Sequence, residues 1–366
     1  MVEPEDYGFS HLGTLSHVGT VTPSVQHSAF WRHWQERVAS EAPELVRVGS
    51  YGADPSDPAA EFLFESLGVR IGCRLVLPPK GTPVRAGLVT SHGYGGGNFL
   101  ERADGAWASV VDRGVAVLEI RVRGFPGSMR DTGAWFETEE GWIAQGLPIG
   151  EANLGELMGW SYVGAVADLV NAMRVMRVWL DERGEGLPLF LHGESFGGGL
   201  AVTATHVGAR FVRPERLVIA LPSMGDWVWR VDRPVSGGIG LEVSRLLVCA
   251  GRRFEETLAN IRLADTVVHA RRVRLPVLAK LALLDDVVPA PSAAAVYNAL
   301  DTDPGAKWRF VTRYGHYDGG IADARRHALF ARIVPDFLDP RTEPAHGLEP
   351  WLGVLAGGDR RPGGAG

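Results

Sequence analysis

Along this chain, short apolar runs of strand length alternate with longer stretches that carry apolar residues at helical spacing. The first helix candidate is 28–42, where Phe30, Trp31 and Trp34 recur among polar residues. Segment 61–78 reads as an antiparallel strand pair, and from Arg85 the order becomes regular. Strand 85–91, a helix around 100–112, strand 115–121, helix 162–181, strand 187–192, helix 200–208 and strand 217–221 follow one another, with further strands at 276–284 and 307–312. Strands separated by helical patterns predict a mostly parallel sheet flanked by helices, an α/β fold.

Two long connections interrupt this order. Segment 124–160 holds Trp135, Phe136, Trp142 and Trp160, and segment 222–272 holds Trp227, Trp229 and a helical stretch at 254–264. Loops of this length in a compact domain are functional or carry helices of their own. The first is expected to border a substrate or a subunit interface, the second to form a small helical cap. The tryptophans are expected to pack, since large aromatics dominate cores and interfaces.

The chemistry sits at the turns. Gly193-Glu194-Ser195-Phe196-Gly197 follows the apolar run 187–192 and opens a small-residue helix. Strand, Gly-x-Ser-x-Gly, helix is the context in which a serine is held on a strained turn above an α/β-hydrolase sheet. Gly193 and Gly197 then let strand and helix approach where a Cβ would collide. Upstream, strand 85–91 runs into His92-Gly93-Tyr94-Gly95-Gly96-Gly97. Such a loop supplies one backbone N–H to an oxyanion hole, and the residue after the nucleophile supplies another. Tyr94 and Phe196 are the candidate donors. A phosphate cradle is the competing reading of the glycines, but neither Gly-Lys-Ser/Thr nor an early Gly-x-Gly-x-x-Gly accompanies them.

A serine of this kind needs an acid and then a histidine, in that chain order. The buried-strand run 276–284 ends in Asp285-Asp286-Val287-Val288-Pro289, and Asp285 comes first off the strand. Asp286 is its rival and reads as a loop residue or helix cap. Strand 307–312 is followed by Tyr314-Gly315-His316-Tyr317, so His316 has both the order and the post-strand context of a general base. Of the other histidines, His11, His17, His27, His33 and His346 lie in polar terminal segments, and His206, His269 and His327 lie away from strand ends. His92 and His192 flank the glycine turns and are expected to support them by hydrogen bonding. The pocket candidates around these motifs are His92, Gly93, Arg123, Phe125 and Glu194.

Composition narrows the class. The 366 residues are 45% hydrophobic, enough for a large core, and the net charge of −6 speaks against nucleic-acid or anionic-membrane partners. Cys73 and Cys249 are the only cysteines, too few for a secreted disulfide framework and without metal-ligand spacing. The start is acidic rather than a signal peptide, and no run approaches a membrane span. The expected protein is cytoplasmic, acts on a small-molecule ester without metal or organic cofactor, and has homo-oligomerisation open to it. Its expected organisation is an extension of helix and strand at 1–74, a catalytic domain at 75–340 with insertions near 124–160 and 222–272, and a partly disordered tail at 341–366 that includes 357–366.

At residue level the chain resembles the acetyl xylan esterase and cephalosporin C deacetylase group, carbohydrate esterase family seven. The matching pieces are Phe30-Trp31-Arg32-His33-Trp34, His92-Gly93-Tyr94, Arg123-Gly124, Tyr162 with Asp168, Gly193-x-Ser195, and Phe254-Glu255-Glu256-Thr257-Leu258. The most specific is Leu284-Asp285-Asp286-Val287-Val288-Pro289 with Tyr297-Asn298 downstream. The resemblance implies an α/β-hydrolase fold, a triad of Ser195, Asp285 and His316, hydrolysis of acetyl-type esters through an acyl-enzyme, and hexameric rings in many members. Two positions depart from it. Phe125 and Phe196 stand where the family commonly has glutamine, which predicts an apolar pocket wall and a less polar leaving group. A serine peptidase of the prolyl-oligopeptidase type, an acyltransferase or lyase, and a non-catalytic scaffold share the fold-level features.

Overall fold

A computed structural model describes residues 7–49, 59–94, 107–125, 128–130, 142–316 and 320–355. The expectations at Gly95–Gly97, the start of the 100–112 helix, Trp135, Phe136, Tyr317 and the 357–366 tail lie outside the described residues.

Among the described residues, ten strands form one sheet: β1 (Val46–Gly49), β2 (Ala59–Ser66), β3 (Val69–Val76), β4 (Ala86–Ser91), β5 (Val115–Ile120), β6 (Met129–Arg130), β7 (Leu189–Glu194), β8 (Arg216–Ala220), β9 (Val277–Ala282) and β10 (Lys307–Thr312). Their order is β1-β2-β3-β5-β4-β7-β8-β9-β10, with β6 paired to β3. From β5 to β10 every neighbouring pair is parallel, while β1, β2, β3 and β6 pair antiparallel. The mostly parallel α/β-hydrolase sheet expected from the sequence is therefore present, and the 61–78 pair extends it as β2 and β3.

Side chains on each parallel strand alternate between two cores, as the twofold period of a strand requires. On β5, Ala116, Leu118 and Ile120 face one core and Val115 and Val117 the other. The larger core receives the helices His27–Ala39, Ser161–Asp181 and Phe196–Val207. The smaller one receives the helix Gly320–Phe337 and the C-terminal residues Leu348 and Leu355. The tail is thus helical at Pro344–Leu348 and Leu352–Leu355, further than the sequence suggested.

Segment 222–272 forms the helices Trp227–Arg230, Gly238–Ala250, Phe254–Ile261 and Thr266–Ala270. The Gly238–Ala250 helix packs against the short turn Trp142–Ala144 of the other insertion. Trp142, Trp160 and Trp227 are buried, so they act as packing groups.

Candidate active site

The loops at the carboxyl ends of β4, β7, β9 and β10 converge on Ser195. This residue holds φ 54° and ψ −113° between β7 and the Phe196–Val207 helix, a conformation that L-residues adopt only under constraint. The constraint is close packing. A Cβ on Gly193 would come within 2.0 Å of Gly197 O, and one on Gly197 within 2.5 Å of Ser91 O. Both glycines are therefore required for β4, β7 and the helix to meet beneath the serine.

Ser195 Oγ lies 3.0 Å from His316 Nε2, and His316 Nδ1 lies 2.7 Å from Asp285 Oδ2. The ring donates from Nδ1 to the carboxylate and accepts the Ser195 hydroxyl at Nε2. Asp285 is 1% exposed, and its other oxygen accepts the backbone N–H groups of Val287 and Val288 at 3.0 and 2.8 Å. Those two bonds fix the carboxylate so that only Oδ2 is presented to histidine. Burial alone would favour neutral His316, but the charge and hydrogen bond of Asp285 outweigh it and raise its pKa above the ordinary 6.5. Asp286 instead accepts Ser236 N–H on its backbone carbonyl.

The His92–Tyr94 loop passes directly beside the nucleophile, since a Cβ on Gly93 would lie 3.7 Å from Ser195 Cβ. Phe196 is the first residue of its helix, so its N–H has no intrahelical acceptor. His92 supports the loop from behind. Its Nδ1–H donates to Gly93 O at 2.8 Å, and its Nε2 accepts Val122 N–H at 3.3 Å. Burial lowers its pKa to about 4, which keeps the ring neutral as both bonds require. His192 is likewise anchored, to Thr90 Oγ1 at 2.8 Å.

A cavity of about 1290 Å³ opens over Ser195, with Gly93, Tyr94, Glu194, Lys280, Val287 and His316 among its lining residues. Of the five sequence-chosen pocket residues, Gly93 and Glu194 reach this wall. Two others, Arg123 and Phe125, need correction. Arg123 is 5% exposed and lies in the core, its guanidinium on Asp168 at 2.6 Å and on Ser66 O at 2.8 Å. A buried guanidinium needs such a paired carboxylate, and Asp168 holds it in the core rather than in the cavity. Phe125 and Phe196, 4% and 0% exposed, stack on one another beneath the loop. His92 packs edge-on to Phe125 at 4.5 Å.

Sequence reasoning missed two groups. Lys280, the charged residue inside the apolar run 276–284, is buried in the wall of the same cavity as His316. It donates to His327 Nδ1, whose Nε2–H donates to Asp323 at 2.9 Å. Desolvation lowers the Lys280 pKa to about 8, partly opposed by Glu194, Asp323 and Asp285. A lone lysine in a buried strand is a signal that could have been read. The second is Glu242 of the Gly238–Ala250 helix, which accepts the Tyr94 hydroxyl, a contact with no trace in spacing. Among the described residues, no cluster of His, Cys, Asp or Glu is arranged to hold a metal ion, and no helix is long and apolar enough to cross a membrane.

Known structures share this architecture. Acetyl xylan esterase 1 from Thermoanaerobacterium sp. superposes with a TM-score of 0.70 at 18% identity, covering 88% of this chain and 98% of its own. An acetyl xylan esterase from Paenibacillus sp. gives 0.69 at 20%, covering 88% and 99%. The acylaminoacyl peptidase of Pyrococcus horikoshii gives 0.53 at 15% identity over 77% of this chain and 41% of its own. At such identities these likenesses concern the fold. The sequence model of the acetyl xylan esterase (AXE1) family matches residues 27–333. The chain belongs to the acetyl xylan esterase family and is a carboxylic ester hydrolase.

Proposed function

We propose that the protein cleaves acetyl-type esters through an acyl-enzyme on Ser195. His316 Nε2 takes the Ser195 proton as Oγ attacks the ester carbonyl, and Asp285 holds the imidazole in the required tautomer and stabilises its charged form. The backbone N–H groups of Tyr94 and Phe196 receive the oxyanion. His316 then gives its proton to the departing alcohol. A water, deprotonated by the same nitrogen, releases the short acid. The observation that carries this reading is the unbroken hydrogen-bond chain from Ser195 Oγ through His316 to Asp285.

The substrate class follows less from the pocket wall than the sequence suggested. With Phe125 and Phe196 buried, nothing about them selects an apolar alcohol, and we assign acetylated carbohydrates as the substrate class, with a sugar hydroxyl as the leaving group. The cavity exceeds the roughly 300–1,000 Å³ of ordinary small-ligand sites, which leaves room for a sugar beside the acetyl group. The unpaired Cys73 and Cys249 fit a reducing compartment, and we place the protein in the cytoplasm.

Fluorophosphonate labelling followed by peptide mapping tests the nucleophile, and hydrolysis of p-nitrophenyl acetate against an aminoacyl arylamide tests the bond type. Label on Ser195 with ester turnover is the expected result. Label elsewhere removes the assignment, and preferential arylamide cleavage moves the protein to the peptidase reading.

A further inference from the structure

We propose that Glu242 is a positioning residue for the oxyanion loop, holding the backbone N–H of Tyr94 in place through the tyrosine hydroxyl. The inference rests on the oxyanion reading above. Tyr94 follows Gly93, which has no side chain to anchor the loop, so the Tyr94 side chain is the nearest handle on that N–H. Its hydroxyl donates to Glu242 Oε2 and accepts Ile143 N–H at 3.0 Å. Its ring packs against Phe196 at 5.7 Å, Trp142 at 6.1 Å and Phe125 at 6.2 Å.

The partners of Tyr94 are themselves fixed. Trp160 Nε1 donates to Ile143 O at 2.6 Å, and Ser161 Oγ donates to Trp142 O at 2.7 Å. Glu242 sits in a helix that begins at Gly238, a residue of the cavity wall. One phenol oxygen therefore joins the oxyanion loop to both insertions. The ring contact with Phe196 ties the two candidate N–H donors to one another. An oxyanion donor works only when held within about 0.5 Å of its productive position. Glu242 itself touches neither substrate nor reacting atoms, so its effect passes through Tyr94.

The test compares Glu242→Ala, Glu242→Gln, Tyr94→Phe and Glu242→Ala with Tyr94→Phe, using p-nitrophenyl acetate as substrate and an aryl trifluoromethyl ketone as inhibitor. The ketone adds Ser195 Oγ at its carbonyl carbon, and the resulting hemiketal oxygen takes the oxyanion position. Glu242→Ala should lower kcat about tenfold, less than the 10²- to 10³-fold of losing a donor outright, with KM nearly unchanged and ketone affinity weakened by the same factor. Glu242→Gln keeps an acceptor and should restore most of the loss. The double variant should be no worse than the worse single one, because both changes break the same bond.

Wild-type kcat and ketone affinity in Glu242→Ala overturn the proposal, as do losses that multiply in the double variant. If Glu242→Ala does not fold, Tyr94→Phe decides alone, and unchanged ketone affinity in it overturns the proposal. Fluorophosphonate labelling of the same preparations separates the two levels. Labelled Ser195 with an unaffected Glu242→Ala brings down only this inference, whereas an unlabelled wild type brings down the oxyanion reading with it.

Discussion

Phe125 and Phe196 stack with ring centroids 6.1 Å apart and planes 28° from parallel. The two positions where this chain departs from its family's usual glutamines thus do meet, but inside the protein. Trp142, Tyr94 and His92 surround them, and Tyr162 closes the far side of Phe196. An aromatic pair in this environment contributes packing and fixes the floor under the His92–Tyr94 loop.

Replacing either ring by glutamine should therefore cost stability first. Truncating a buried phenylalanine costs about 3–5 kcal/mol, and an amide placed there without partners adds to the loss. Urea unfolding of Phe125→Gln, Phe196→Gln and the double variant measures it. The rings touch, so the double loss should differ from the sum. Unchanged unfolding midpoints with a shifted ratio of sugar-ester to aryl-ester turnover would return these residues to the pocket wall.

The strained Ser195 backbone gives a second expectation. Ser195→Ala and Ser195→Gly should both abolish ester turnover and labelling. They should differ in stability, because alanine keeps the strain of φ 54° and glycine does not. Strain of this kind is worth about 1–3 kcal/mol, against about 0.4–1 kcal/mol for the extra freedom of glycine in the unfolded chain. The glycine variant should thus unfold at higher urea. Equal midpoints would mean that the turn stores no strain.

What the sequence disclosed followed from locality. β4, β7, β9 and β10 were readable because each is a short apolar run ending in chemically distinctive residues, and the strand-end rule then placed Ser195, Asp285 and His316. The collision at Gly193 was readable for the same reason, since it falls within the five-residue turn, whereas the one at Gly197 involves Ser91 on β4 and was readable only through the motif. Arg123 was misplaced because its partner, Asp168, lies on another element, and a post-strand arginine looks the same whether it turns outward or inward. Glu242 was invisible because its contact with Tyr94 exists only once the Gly238–Ala250 helix has packed against the Trp142–Ala144 turn. Lys280 was visible as a charge in an apolar run, yet its His327 and Asp323 partners come from a helix that the strand pattern could not orient.

The neighbouring acids separate cleanly by environment. Asp285→Asn removes the charge that orients and stabilises the imidazole, so turnover should fall roughly 10⁴-fold. Asp286 makes its hydrogen bonds through its backbone carbonyl, to Ser236, and Asp286→Asn should stay within about threefold of wild type, as changes outside the catalytic groups usually do. Steady-state rates with p-nitrophenyl acetate decide between them. Comparable losses in both variants would mean that the acid loop, rather than one carboxylate, supports the histidine.

The pH profile carries the sign of the His316 shift. Only neutral imidazole can take the Ser195 proton, so kcat/KM should rise with pH, with its midpoint above the 6.5 of an unperturbed histidine. Glu194 contributes to that upward shift and Lys280 opposes it. Glu194→Gln should therefore move the midpoint down and Lys280→Met should move it up. Profiles measured where chemistry limits the rate test this, and movement of both variants in the same direction would contradict the assigned electrostatics.

The last expectation concerns a second set of histidines, away from the triad. His269 Nε2–H donates to Leu263 O at 3.1 Å, which leaves its Nδ1 to accept from His206 Nδ1 at 2.9 Å, and the His27 ring lies 5.1 Å from that of His269. The three join the helices His27–Ala39, Thr266–Ala270 and Phe196–Val207. Burial, reinforced by Arg272, lowers the pKa of His27 to about 4. Burial with His27 and Arg272 does the same for His206, and burial with both other rings holds His269 well below 6.5. The unfolded chain binds these protons near 6.5 and the folded one does not, so their stabilisation is present above pH 6.5 and is lost as pH falls toward 4. Each proton taken up on unfolding contributes a slope of up to about 1.4 kcal/mol per pH unit. Urea midpoints at pH 7.5, 6 and 5 should fall steeply for the wild type and less for His206→Gln, which keeps a donor for His269 but cannot titrate. Parallel lines for the two proteins would mean that the acid sensitivity resides elsewhere.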